Sequence, residues 1–134
     1  MRLPDWDKRL AAYIEEARHI SFEWGKHDCF TFAVKCEEAI SGATRFPELY
    51  KAEYHSQFGA NKAFMKNGYR GMIDCINRRC VQIDKNMIQR GDWAAFDTLE
   101  GLAIGVYAGH KVVAVGENGL IFVDLKDVSK AWRI

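Results

Sequence analysis

From Gly91 onward the chain is divided into short β-prone segments by turns of two to four residues. No other feature constrains the fold as much. The segments Trp93 to Phe96, Leu102 to Ala108, Lys111 to Val115 and Leu120 to Val123 are rich in β-branched and aromatic residues. Between them lie Leu99-Glu100-Gly101, Gly109-His110 and Gly116 to Gly119. Connections this short join antiparallel neighbours, because a parallel crossover needs about a dozen residues or more. The four segments therefore predict an antiparallel meander. Asp127 to Lys130 is expected to make one helical turn, and Ala131 to Ile134 a final strand.

Before that change of period the apolar residues follow helical spacing. Asp5 is placed to cap a helix carrying Trp6, Leu10, Tyr13, Ile14 and Ala17 on one face. Ile20, Phe22 and Trp24 alternate with polar residues and predict an extended lead-in. The stripe Cys29, Phe32, Ala33, Cys36 and Ile40 marks a second helix, closed by Gly42. Tyr50, Tyr54 and Phe58 predict a third, ending at Gly59; Ala60, Ala63 and Phe64 a short fourth; Met72, Ile73, Ile76 and Cys80 a fifth. Helices over about residues 1–80 followed by an antiparallel sheet over about 81–134 is an α+β layout in one domain.

Composition narrows the function classes. A chain of 134 residues, 49% hydrophobic and 13% aromatic, has enough apolar material for a core without staples. A net charge of +1, with Lys8-Arg9 and Arg78-Arg79 the only adjacent basic pairs, gives no footprint for nucleic acid. The apolar runs are far shorter than the ~20 residues that span a bilayer. Met1-Arg2-Leu3-Pro4-Asp5 does not open a secretory signal, so the expectation is a cytosolic protein with its four cysteines reduced. No cysteine pair forms the C-x-x-C clip of structural zinc, and neither metal nor cofactor is expected.

One stretch carries chemistry: Trp24-Gly25-Lys26-His27-Asp28-Cys29-Phe30-Thr31-Phe32-Ala33. Asp28 is a good N-cap, and Cys29 follows it at a loop-to-helix junction. Free backbone N–H groups and the helix dipole favour a thiolate at such a place. The same cysteine lies on the apolar stripe of its helix, where a small buried residue would serve equally well. His27 is near enough in sequence to approach the sulfur from the loop, although the partners of a nucleophile are usually distant in sequence. His110 belongs to a turn, and His19 and His55 lie on polar faces.

Taken together, Phe22-x-Trp24-Gly25-x-His27-Asp28-Cys29-x-x-Phe32, then Arg90-Gly91-Asp92, then Ala103-Ile104-Gly105-Val106-Tyr107, then Gly119-Leu120 and Ala131-Trp132-Arg133 resemble a family of small phage and prophage proteins. That family is a divergent relative of the NlpC-type papain-like cysteine peptidases. The resemblance implies a papain-like fold, with N-terminal helices packed on the C-terminal meander and Cys29 at the nucleophile position. It also implies that the general base position, a histidine in His-Val-Gly-Ile-Tyr of active enzymes, is Ala103 here. The third, orienting position falls in apolar Val113 to Val115. Without a positioned base the usual ~10²–10⁴ gain from proton transfer is absent.

The resemblance thus implies a phage tail-tip or tail-assembly component that binds rather than catalyses. It would reside in the host cytoplasm during assembly and in the virion tail afterwards. Its partners would be other tail-tip or hub proteins, with peptidoglycan as a further ligand. The alternative is an active cysteine hydrolase, a stem-peptide endopeptidase or amidase, with Cys29 as nucleophile and His27 as base. On the papain-like reading the Cys29 helix faces Ala103, Gly105 and Tyr107, with Gly105 permitting its close approach. The aromatic residues Trp6, Tyr50, Tyr54, Phe58 and Tyr69 are expected to leave an exposed docking patch.

Overall fold

The computed structural model describes residues 1–134 and is α+β, with five helices and one six-stranded antiparallel sheet. Helix α1 runs Trp6–Ala17; Asp5 precedes it, but its side chain makes no capping bond. Helix α2 runs Cys29–Ser41 and is the best-specified element. Asp28 sits in extended conformation, its carboxylate accepting from Thr31 N at 2.9 Å while Thr31 Oγ1 accepts from Asp28 N at 2.9 Å. This reciprocal box satisfies two donors at the helix start, with threonine where glutamate is usual. Gly42, at φ +82°, closes the helix in the left-handed conformation that glycine adopts without strain.

The next helices depart from the expected boundaries. Helix α3 is only Pro47–Tyr50, and α4 runs Gln57–Lys66 straight through Gly59. Ser56 caps α4 by accepting from Gly59 N at 3.0 Å, which places Tyr54 in the loop before it. The expected Tyr50–Phe58 helix therefore does not exist, and the expected fourth helix is the second half of α4. Helix α5 runs Met72–Arg79 as anticipated. The Ile20–Trp24 lead-in forms no strand; only Glu23 and His27 pair across a tight loop.

The strands are β1 Val81–Ile83, β2 Trp93–Thr98, β3 Gly101–Tyr107, β4 Val112–Gly116, β5 Gly119–Val123 and β6 Val128–Arg133, in the order β1-β6-β2-β3-β4-β5. Strands β2 to β5 form the expected meander. Strand β6 breaks it by returning between β1 and β2, and it starts at Val128, where a helical turn was expected. Trp132 is fully buried in this interior strand, its indole N–H donating to Asn77 Oδ1 at 2.8 Å.

The helices cover one face of the sheet. Leu10, Phe32, Ile40, Trp93, Ile104, Val106 and Trp132 meet there in the main core. Phe30 sits edge-on to Phe46, Phe64 and Trp93, and Phe46 stacks on Trp93 at 5.4 Å between centroids. The other face carries a smaller cluster of Ala94, Phe96, Val112, Ala114 and Val128.

Asp92 locks the ends of the chain to this scaffold. It is completely buried, and its carboxylate accepts from Ile134 N at 3.0 Å and from Gln89 N at 2.9 Å. Arg2 lies 3.6 Å and Arg133 3.3 Å from its oxygens. The Arg90-Gly91-Asp92 turn is thus the point at which residues from both ends of the structure converge.

Candidate functional site

The site is built on the start of α2. Glu23 and His27 close the preceding loop with two backbone bonds, Glu23 N to His27 O at 3.0 Å and His27 N to Glu23 O at 2.8 Å. Gly25 occupies its bend at φ +82°, and a Cβ there would lie 2.2 Å from the Tyr54 carbonyl oxygen. Gly25 N donates to Asp28 Oδ2 at 2.9 Å, and Tyr54 Oη donates to the same oxygen at 2.7 Å. The loop, the helix start and the Tyr54 segment are therefore one hydrogen-bonded unit centred on Asp28, which is 1% exposed. Burial, followed by the negative charge of Asp28, raises the Tyr54 pKa far above the ordinary phenol range and keeps it a neutral donor.

Cys29 lies in the first turn of α2, half-buried. Its only side-chain hydrogen bond is to another sulfur, Met72 Sδ at 3.9 Å. Burial pushes its pKa up to about 11; backbone donors near Ile104 and Phe30 act downward but do not offset burial, and Asp28 raises the pKa further. The helix start therefore does not generate a thiolate here, contrary to what a dipole argument alone would give.

The strand facing Cys29 has the opposite parity to that expected from the resemblance. Leu102, Ile104 and Val106 belong to the helix side of β3, whereas Ala103 and Tyr107 pack with the second cluster on the other face. Ala103 is therefore not opposite Cys29, and no base would be positioned there even if it were histidine. Gly105 does not admit α2 either. A Cβ on it would meet Val113 O at 2.5 Å, Val112 Cγ1 at 2.7 Å and Ala114 Cβ at 3.1 Å, so its function is close approach within the sheet itself. Strand β4, which carries Val113 to Val115, presents only apolar side chains and glycine.

His27 is buried at 5% exposure, edge-on to Phe32 with centroids 6.1 Å apart, and its Nε2 has no partner. No hydrogen bond joins it to Cys29, and it does not line the cavity described next. Burial first, then the nearby Lys35, lowers its pKa. The unfolded chain then binds a proton more readily than the native one, so stability is full above about pH 6.5 and declines as pH falls through and below that value. Urea midpoints measured from pH 7.5 to 5 should fall, and His27→Leu should flatten that slope. His19, His55 and His110 are exposed.

A cavity of about 420 Å³ opens beside the helix start. Trp24, Cys29, Tyr54, Phe64, Met72 and Leu102 form much of its wall, and Gln57, Asn61, Arg70, Asp74 and Glu100 supply polar groups around it. Tyr54 and Met72 were not legible as site residues. Helical spacing placed Tyr54 in a third helix, and the abundance of aromatic residues placed it in an exposed patch, yet it is 7% exposed, lies in a loop and is bonded to Asp28; the signal to the contrary was Ser56, a preferred cap that starts the helix after it. Of the expected patch only Phe58 is well exposed, at 73%, while Trp6, Tyr50 and Tyr69 are partly buried against the core. No three His, Cys, Asp or Glu side chains gather as a metal-binding group, and no helix is long and apolar enough to cross a membrane.

A family model described as a domain of unknown function, DUF6950, matches residues 1–134. The chain belongs to the DUF6950 family. No curated protein matches it. In this DUF6950 chain the candidate site centres on Asp28, Cys29, Tyr54 and the cavity they border.

Proposed function

We propose that this DUF6950 protein is a non-catalytic binding component of a phage or prophage tail, with the cavity at the start of α2 as its binding site. The observation that carries the non-catalytic part is Cys29 itself: a thiol held neutral by burial and contacting Met72 at 3.9 Å, with no histidine bonded to it. At a pKa of about 11, roughly one part in ten thousand is thiolate at pH 7, against a few per cent for an ordinary cysteine. The neighbouring Asp28 is committed to Thr31, Gly25 and Tyr54. The tail assignment, and with it residence in the host cytoplasm and then the virion, rests on the ordered resemblance of sequence motifs. A papain-like ancestry is part of the same proposal. The reversed parity of β3 weighs against a close structural match to the active peptidases, and it supports binding over hydrolysis.

Iodoacetamide at neutral pH should label Cys29 at least ten-fold more slowly than a free model thiol, because only the thiolate reacts. Cys29→Ser should leave tail assembly and copurification with tail-tip proteins at wild-type yield, while Leu102→Arg, which puts a charge on the cavity wall, should reduce both. Rapid labelling abolished by His27→Ala would overturn this reading and install His27 as a base. Muropeptide hydrolysis lost in Cys29→Ser would overturn it as directly.

A further inference from the structure

We infer that the loop over residues 23–28 is an acid-operated latch on the cavity: protonation of His27 releases the loop and withdraws Trp24 from the cavity wall. The latch acts on the wall itself, whatever occupies the cavity.

The His27 imidazole is 5% exposed and stands edge-on to Phe32, with Nε2 enclosed and unpartnered. A neutral ring tolerates this place, since its one N–H can lie on Nδ1 and leave Nε2 a bare lone pair. An imidazolium carries an N–H on both nitrogens, and here Nε2–H would be a buried, charged donor without an acceptor. The charged groups around the ring do not supply one. Burial, and then the like charge of Lys35 on α2, hold the ring's pKa below its ordinary value. Asp28 acts the other way, but its oxygens already accept from Thr31 N, Gly25 N and Tyr54 Oη. Within the loop, Glu23 and Lys26 pair with each other at 3.3 Å. Tyr13 of α1 packs on Phe32, and burial keeps it a neutral phenol. The protonated ring therefore has one favourable destination, the solvent.

The loop is fastened lightly enough to follow. Glu23 and His27 exchange two backbone bonds at its base, Gly25 N reaches Asp28 Oδ2, and Lys35 Nζ reaches Lys26 O at 3.5 Å. The bonds at the base belong to His27 itself, so turning the ring out strains them first. Segments held by few bonds near the surface open locally while the rest of a protein stays folded. Trp24 adjoins the bend at Gly25 and lines the cavity of about 420 Å³, so it travels with the loop. The sign follows from the proton. The closed loop disfavours it, whereas the open loop returns His27 to its ordinary pKa of about 6.5. Opening is therefore suppressed at neutral pH and grows, by at most about ten-fold per pH unit, as pH falls below about 6.5.

Amide hydrogen exchange on the whole chain, corrected for intrinsic rates, tests the latch between about pH 7.5 and 5.5. Protection at the Glu23, Gly25 and His27 amides should fall about five-fold or more across that range, while Ile104 and Val106 in β3 keep theirs. The Trp24 indole NMR signal should move with the same midpoint as the His27 ring. His27→Leu should hold the loop amides at their neutral-pH protection throughout. Should that variant not fold, Lys35→Glu, which sets a carboxylate near the ring, must raise the ring's midpoint and keep the loop protected at low pH. Unchanged loop protection in the wild type overturns the inference, and so does a ring that titrates at or above about pH 6.5. An equal loss at Ile104 and Val106 also overturns it, since the event would then be global unfolding. Acid opening that persists in His27→Leu, or a ring midpoint unmoved by Lys35→Glu, does the same.

Discussion

Replacing Asp92 by alanine should destabilise the protein by about 3–5 kcal/mol, the largest effect expected of any single polar substitution in it. The carboxylate is fully buried, and two backbone donors, Gln89 N and Ile134 N, end on it. Removing it leaves both donors without an acceptor, at about 1–3 kcal/mol each. It also leaves Arg2 and Arg133, at 3.6 and 3.3 Å, facing a hole instead of a charge. Asp92→Asn should be milder, since an amide still offers one acceptor oxygen. Chemical denaturation of the two variants reads the difference directly. A loss under about 1 kcal/mol for Asp92→Ala would show that the ends of the chain are not held by this residue.

Gly25→Ala should be nearly as damaging, and its damage should be focused on the site. At φ +82° an L side chain costs about 1–2 kcal/mol, and its Cβ would lie 2.2 Å from the Tyr54 carbonyl oxygen. Backbone cannot yield as a flexible side chain does, so overpacking adds about 1–3 kcal/mol more. The loop must lift off the Tyr54 segment, which disturbs Gly25 N and Tyr54 Oη together at Asp28 Oδ2. Two readouts check this: a lowered melting temperature, and faster alkylation of Cys29 as the cavity wall loosens. A variant with wild-type stability would mean that the loop tolerates another bend.

What the sequence disclosed followed how local the signal was. Helix α2 was legible at both ends because Asp28 and Gly42 are caps whose effect lies within one turn, and the four meander strands were legible because their short turns admit only one kind of pairing. Strand β1 escaped notice: Val81–Ile83 has three residues, too few to show a period, and it exists because β6 pairs with it from 50 residues away, Val81 against Arg133 and Ile83 against Ala131. The facing of β3 was open for a different reason. Leu102, Ile104 and Val106 on one side and Ala103, Gly105 and Tyr107 on the other are all compatible with burial, so alternation could not orient the strand. Alignment with a peptidase motif oriented it, and packing chose the reverse. For the site, Cys29 and Asp28 were legible from the junction they share. Tyr54 and Met72 were not, since what brings them there is the tertiary arrangement of a loop and of α5.

The place of β6 has a consequence for biosynthesis. The sheet is closed by the last of its six strands to be made, inserted between β1 and β2. A nascent chain that has emerged only as far as β5 exposes the flank of β2 and a lone β1, two open edges of the kind that recruit other chains. It also lacks Trp132, a large fully buried member of the main core. The helices and the meander can gather earlier, but the native sheet must await the emergence of β6. Ribosome stalling or a nonsense codon shortly before Val128 would therefore yield a sticky product and not a slightly shorter domain.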